Sequence, residues 1–269
     1  MDRRLSLDSL TLTDTAPQLA IRAAAAAGFD ACSLWIMPPP LYPSPLVTPS
    51  LERECAAIIA DTGIEVIALE VFDLHSMAGV EAVRPLLEMG ARLGGKAALT
   101  IHYSNPDRGA AADILAAFAE AADTFGLATN LEPVAGGQSQ TLAQARDLIA
   151  ASGADVGLCL DPHHLIRAGG TLTDLQGIDP ALIRYVQVCD GPVPQPPEIA
   201  ASEAVCERLY PGEGQFPLIA LLRAAPQSIP LGIECPSLSR AARGMSAEDQ
   251  ARESMLRLRQ LLERIDEEA

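Results

Sequence analysis

Short apolar runs rich in β-branched residues alternate with longer stretches in which apolar residues recur every three or four positions. The first pattern predicts buried strands, the second amphipathic helices. Strands are predicted at "LSLDSLTL" (5–12), "ACSLWIM" (31–37), "EVIALEVFDL" (65–74) and "AALTIHYS" (97–104). Four more follow at "LATNLEPV" (127–134), "VGLCLDPHH" (156–164), "IRYVQVCD" (183–190) and "PLGIECPS" (230–237). Between them lie helical segments such as "APQLAIRAAAAAGF", with Gly28 at its end, and "TPSLERECAAIIADTG", with Thr48 or Ser50 as its cap. The sixth helix, around 172–182, is expected to be short. The chain closes on "AEDQARESMLRLRQLLERIDEE".

Strand and helix alternating eight times in 269 residues predicts a single (β/α)8 TIM barrel spanning 1–269. A doubly wound open sheet is the rival. It commonly has fewer units, and no GxGxxG follows the first strand. The proline-rich pieces "MPPPLYPSPLVTP" and "DGPVPQPPEIAAS" follow strands two and seven. In a barrel they become loops on the C-terminal rim, and they would suit a homodimer contact.

Composition narrows the function classes. A net charge of -16 and a sequence pI near 4.5 disfavour nucleic acid and anionic membrane as partners. No apolar run reaches the ~20 residues of a membrane span, and "MDRRLSLDSL" lacks the apolar core of a signal peptide. Six cysteines show neither CxxC nor zinc-ligand spacing. Several sit in apolar runs, so buried reduced thiols and a cytoplasmic location are expected.

Polar residues stand at the ends of consecutive strands. Glu132 ends the fifth ("NLEPV") and Asp161 the sixth ("LCLDPHH"); Gln187 lies within the seventh ("YVQVCD"), and Glu234 ends the eighth ("GIECPS"). Each alone has an ordinary explanation: a solvated strand end, a cap of the next turn, an amide bound to a loop. On four successive barrel strands they converge, and three carboxylates close together call for a cation. Other residues sit nearby. His102 in "TIHYS" could reach substrate or serve structure. Glu70 in "ALEVF" could line the barrel or accept a substrate hydroxyl. Arg167 could meet an anionic group or a surface carboxylate. Arg208 with Glu213, in "ERLYPGEG", could order a loop over the site.

The motifs "NLEPV", "LCLDPHHLIRAGG", "YVQVCDG", "PGEG" and "GIECPS" resemble the xylose isomerase-like TIM barrels, over nearly the whole chain. That family includes sugar isomerases, ketose 3-epimerases, inosose dehydratases and dehydroshikimate dehydratases. The resemblance implies one divalent metal held by Glu132, Asp161, Gln187 and Glu234, with His164 of the D-x-x-H motif near substrate. The isomerase and epimerase branches usually carry His where this chain has Gln187; dehydroshikimate dehydratases carry Gln. An all-oxygen ligand set favours Mn2+ or Mg2+, with Co2+ or Zn2+ as alternatives.

Two activities follow as expectations. One is metal-dependent isomerisation or epimerisation of a sugar or polyol hydroxy-ketone, with Glu132 or Glu234 as base and His164 as acid, base or donor. The other is dehydration of an inosose or of a keto acid such as 3-dehydroshikimate, whose carboxylate would need a clamp from Arg167 or Arg208. A binding barrel that has lost its chemistry is disfavoured by retention of all four oxygen ligands. A related branch repairs abasic DNA with three metals held by many histidines; four histidines and the acidic charge argue against it here.

Overall fold

The structure, a computed structural model, describes residues 3–37, 45–73 and 75–267. Eight parallel strands close into a barrel in sequence order. They are β1 (Leu5–Leu7), β2 (Ala31–Trp35), β3 (Glu65–Asp73), β4 (Ala97–Ile101), β5 (Ala128–Glu132), β6 (Val156–Leu160), β7 (Ile183–Val188) and β8 (Leu231–Ile233). Pairing of Leu5, Ser6 and Leu7 with Leu231, Gly232 and Ile233 joins the last strand to the first. The single-domain (β/α)8 barrel expected from the alternation is the fold observed. Part of the first proline-rich segment, residues 38–44, lies outside the described residues.

Strand parity sorts the side chains into two layers. Leu158, Leu160, Val186, Val188, Leu231 and Ile233 face the helices and join the main core. Cys159, Tyr185 and Leu99 face the axis and pack with Ala31, Ile67 and Ala68 in a separate cluster. Gly232 is required here by crowding: a Cβ would meet the Tyr185 hydroxyl at 2.1 Å and Asp8 Oδ2 at 2.2 Å.

Three predicted elements differ in extent. β1 stops at Leu7, and Ser9–Leu12 turns into a 3-10 helix across the barrel mouth. Polar side chains end the strand. Ser33 Oγ accepts the Ser9 N–H at 2.7 Å, and Thr11 Oγ1 donates to the Ile233 carbonyl at 2.8 Å. β6 stops at Leu160, because Asp161 caps a helix over Pro162–Arg167, accepting the His163 N–H at 2.7 Å. The sixth helix is short as expected, but broken into Leu172–Leu175 and the 3-10 turn Pro180–Leu182, with Gly177 and Pro180 interrupting it.

The loop after β7 is pinned by one carboxylate. Asp190 is buried; its Oδ1 accepts the N–H groups of Gly191 and Phe216, and its Oδ2 those of Gly212 and Gly214. The "PGEG" turn is therefore folded around Asp190, and a Cβ on Gly214 would stand 2.4 Å from Asp190 Oδ1. Glu213 pairs with Arg240 and Arg257 on the outer side, rather than with Arg208.

Asp190→Asn keeps the size but replaces one acceptor oxygen with a donor facing N–H groups. It should cost about 3 kcal/mol in urea unfolding, since two buried N–H groups lose their partner. A loss below about 1 kcal/mol would show that the turn does not depend on this carboxylate.

Candidate metal and proton-transfer site

The polar residues predicted at strand ends share the parity of the inner cluster. Glu132 is one step of two beyond Asn130, Asp161 beyond Cys159, Gln187 beyond Tyr185, and Glu234 beyond Gly232. All four are buried. Together with Glu70, His164 and Arg208, Glu132 and Glu234 form the floor of an open cavity at the C-terminal mouth.

Arg208, expected to order a loop with Glu213 or to clamp a carboxylate, is the principal cation of this floor. It is buried, and its Nη1 donates to Asp161 Oδ2 at 2.7 Å and Glu234 Oε2 at 2.8 Å. Its Nε donates to the Ala204 carbonyl at 2.8 Å. Burial disfavours its charge, but Asp161 and Glu234 outweigh that and raise its pKa well above the ordinary guanidinium value. A metal shared by Asp161 and Glu234 would take up oxygens that Arg208 holds.

His164 lies with its Nε2 3.5 Å from Glu132 Oε1 and 3.9 Å from Asp161 Oδ2. These three atoms lie within 4.8 Å of one another, as ligands of one ion would. The tautomer argues for another role. The Ala135 N–H points at His164 Nδ1 at 3.3 Å, so Nδ1 accepts and Nε2 carries the proton. Burial, reinforced by Arg208, pushes its pKa down to about 4 despite Asp161, so the ring is neutral. His164 therefore presents an N–H donor towards Glu132 and Asp161, and on this side the two carboxylates are the groups left able to hold a cation.

Gln187 donates from Nε2 to Glu234 Oε1 at 3.0 Å, and its Oε1 accepts from the Cys159 thiol at 3.3 Å; its amide also lowers the Asp8 pKa. In this orientation the amide holds Glu234. Turning it over would present Oε1 on the Glu234 side.

A second acidic group completes the floor. Asp8, Glu70 and Glu234 each bring an oxygen within 4.8 Å of the others. Asp8 Oδ1 accepts from Tyr185 Oη at 2.5 Å and Ser6 Oγ at 2.9 Å; Glu70 Oε2 accepts from Trp35 Nε1 at 2.8 Å. Asp8 Oδ2 and Glu70 Oε1 have no hydrogen-bond partner. Burial pushes Asp8 up to about 7 and Glu234 up to about 8, with neighbouring carboxylates adding to the rise in both. Glu70 and Glu132 are raised well above the usual range for the same two reasons. Asp161 is the exception: burial works against its charge, but Arg208, His164 and the His163 N–H hold it below the ordinary value.

Two expected substrate contacts face elsewhere. His102 is occupied at both ring nitrogens, by Ser139 Oγ at 2.8 Å and the Asn105 carbonyl at 2.5 Å. Arg167 makes a two-pronged pair with buried Glu203, at 2.7 and 2.6 Å, and stacks over Phe216. Neither lines the cavity, because each satisfies a loop instead. Glu70 does line it. His163 is buried beside Glu203 with its Nδ1 unpartnered, and His75 is exposed. All six cysteines are free, five of them buried. Among the described residues no helix is long and apolar enough to cross a membrane.

A family model described as xylose isomerase-like TIM barrel matches residues 21–261. A search of the curated proteins finds no match. Among solved structures, a xylose isomerase-like TIM barrel/4-hydroxyphenylpyruvate dioxygenase fusion protein aligns with TM-score 0.80 at 20% identity, over 98% of this chain. This chain spans 43% of the length of that fusion protein. The IOLI protein, solved with a binding zinc atom, aligns with TM-score 0.82 at 18% identity, over 97% of this chain and 99% of its own. An L-ribulose 3-epimerase aligns with TM-score 0.72 at 20% identity, over 99% and 96%. At these identities the likeness shows the fold.

The acid cluster makes metal-free stability depend on pH. Asp8 and Glu234 keep protons in the fold that the unfolded chain releases above the ordinary carboxylate range. Their contribution is complete below that range and is lost as pH rises through about 7 and about 8. The melting temperature should therefore fall from roughly pH 5 to pH 8.5, and ~10 mM Mg2+ should remove most of the slope. A slope indifferent to Mg2+ would mean that no cation binds at these carboxylates.

Proposed function

The chain belongs to the xylose isomerase-like TIM barrel family, and from that premise we propose that it is a divalent-metal-dependent enzyme moving a proton between adjacent carbons of a hydroxy-ketone, as an isomerase or epimerase. The observation that carries this reading is the charge imbalance on the cavity floor. Asp8, Glu70, Glu132, Asp161 and Glu234 are five buried acids at this end of the barrel, and Glu70, Glu132 and Glu234 line the cavity, against the one guanidinium of Arg208 among the described residues lining it. A divalent cation offsets that imbalance and fits the oxygen-rich donor set. Glu132, Asp161 and Glu234 would hold it, with the Gln187 amide oxygen as fourth donor when turned. Oxygen donors suit Mn2+ or Mg2+. One relative of the same fold was solved with zinc.

When bound, the cation would supply Lewis acidity, polarising a carbonyl and acidifying the neighbouring C–H. The chain's own residues do the rest. Glu132 and Glu234 arrive from β5 and β8, on different sides of the cavity. Each is kept protonated by burial and by other carboxylates, and a nearby positive charge lowers its pKa into the range of a working base. The base takes the proton from carbon, and a protonated acid returns one to the same or the adjacent carbon. His164, neutral with Nε2–H directed to Glu132 and Asp161, donates a hydrogen bond to substrate oxygen. The unpartnered Glu70 Oε1 accepts a substrate hydroxyl.

Dehydration is the second reading, and Gln187 supports it, as in the dehydroshikimate dehydratases that the sequence resembles. A carboxylated substrate, however, needs a free cation. Arg167 is committed to Glu203, which leaves Arg208, held by the same two carboxylates that would take the cation, as the candidate clamp. Loss of water is what separates the two readings.

Metal-loaded enzyme incubated with neutral hydroxy-ketones in D2O should place deuterium on the carbon beside the carbonyl, with no loss of water. A product lighter by one water would make it a lyase. Glu132→Gln and Glu234→Gln should each lower bound metal and reduce exchange by ~10²-fold or more. His164→Asn should reduce exchange ~10²-fold with metal content retained. Unchanged metal and exchange in both glutamine variants would remove the proposal.

A further inference from the structure

We infer that the substrate is a hydroxy-ketone on a compact, largely apolar carbon skeleton, rather than a polyol. This rests on the proposed proton transfer for the reacting end of the molecule, and on the cavity walls for the rest. The walls are formed by Trp35, Val71, Leu99, Ile101, Val134 and Val205, with further alanine and leucine side chains. Among the described residues, Tyr103 brings the walls' one side-chain hydroxyl. The ionisable groups Glu70, Glu132, His164, Arg208 and Glu234 lie on the floor. The Trp35 indole N–H, which might have served a sugar, is already given to Glu70. His102 and Arg167, the two polar residues expected at the rim, are bound to their own loops.

A polyol in this cavity would have its reacting hydroxyl and carbonyl served by the floor. One more hydroxyl has a partner in Glu70 Oε1, which is buried and otherwise unpartnered. Further hydroxyls would face hydrocarbon. Each hydroxyl desolvated without a partner weakens binding by about five-fold or more. A ring or chain of CH2 groups instead gains about four-fold per buried methylene.

Trp35 is the chain's single tryptophan and lines the cavity, so its fluorescence reports occupancy. The probes are 2-hydroxycyclohexanone and erythrulose, two neutral hydroxy-ketones with equal numbers of non-hydrogen atoms. In the Mg2+-loaded protein, 2-hydroxycyclohexanone should bind at least ~30-fold more tightly. Val205→Asn and Val134→Asn place an amide on the wall; either should cut the ratio to about five-fold or less by improving erythrulose binding. Erythrulose binding as tightly as 2-hydroxycyclohexanone, or failure of 2-hydroxycyclohexanone to bind, overturns the inference. Deuterium exchange in D2O is followed on the same samples. Preferential binding of 2-hydroxycyclohexanone without exchange upholds the apolar skeleton and removes the proton-transfer reading. Exchange with tight erythrulose binding does the reverse.

Discussion

Five carboxyl groups buried at one end of a barrel cannot all carry charge without a partner, and the arrangement of the mouth follows from how they are reconciled. Arg208 joins Asp161 and Glu234 through a single nitrogen. Tyr185 and Ser6 donate to Asp8, and Trp35 to Glu70. What these donors leave uncompensated appears as raised pKa values at Asp8, Glu70, Glu132 and Glu234. Protons and a divalent cation are alternative ways of offsetting the same repulsion. A site that exchanges one for the other is suited to moving protons on and off carbon.

The cation that tempers this repulsion comes from a loop, and the loop has to be held. Arg208 follows the short helix Glu203–Cys206, which begins at a buried glutamate. Glu203 is gripped by Arg167 from the helix after β6, and by Gln195. On its other side, Asp190 gathers the N–H groups of the glycine turn. Backbone pairing of Asp190 with Leu209 closes the base. Arg167 thus acts on the site at one remove: its contact with Glu203 keeps the segment carrying Arg208 in place.

Much of this was legible in the sequence, and the reasons differ from residue to residue. Eight alternations in one chain predicted the barrel because the periods of strand and helix are distinct. Glu132, Asp161 and Glu234 stood out because each interrupts an apolar run at a strand's C-terminal end, and Gln187 because it lies between Val186 and Val188. Asp8 was hidden: "LSLD" reads as an ordinary alternation with a polar outer face, yet Ser6 and Asp8 face the axis, where Tyr185 waits. Its signal lay in the adjacent strand β8, at Gly232, the small residue that leaves room for it. Arg208 was misdirected towards Glu213 because proximity in sequence suggested the pair. The fold sends them to opposite sides of the loop. Arg167 and His102 carried the right chemistry in the right neighbourhood, but loop carbonyls and Glu203 satisfied them first.

Gln187 shows why a neutral amide belongs in this setting. A histidine there would have to be neutral to survive burial, and would then offer one N–H and one lone pair. The amide offers two N–H donors on one nitrogen and an acceptor oxygen besides. One N–H is spent on Glu234, whose pKa is raised to about 8, and the amide also works against the rise of Asp8 to about 7 across the β8–β1 seam. Gln187 thus favours the charged forms of both without adding a charge that titrates. The third capacity, the oxygen, rests on the Cys159 thiol, a weak donor at 3.3 Å. That is an inexpensive bond to exchange. The residue can therefore brace the carboxylates while the site is protonated, and turn its oxygen inward when a cation replaces those protons.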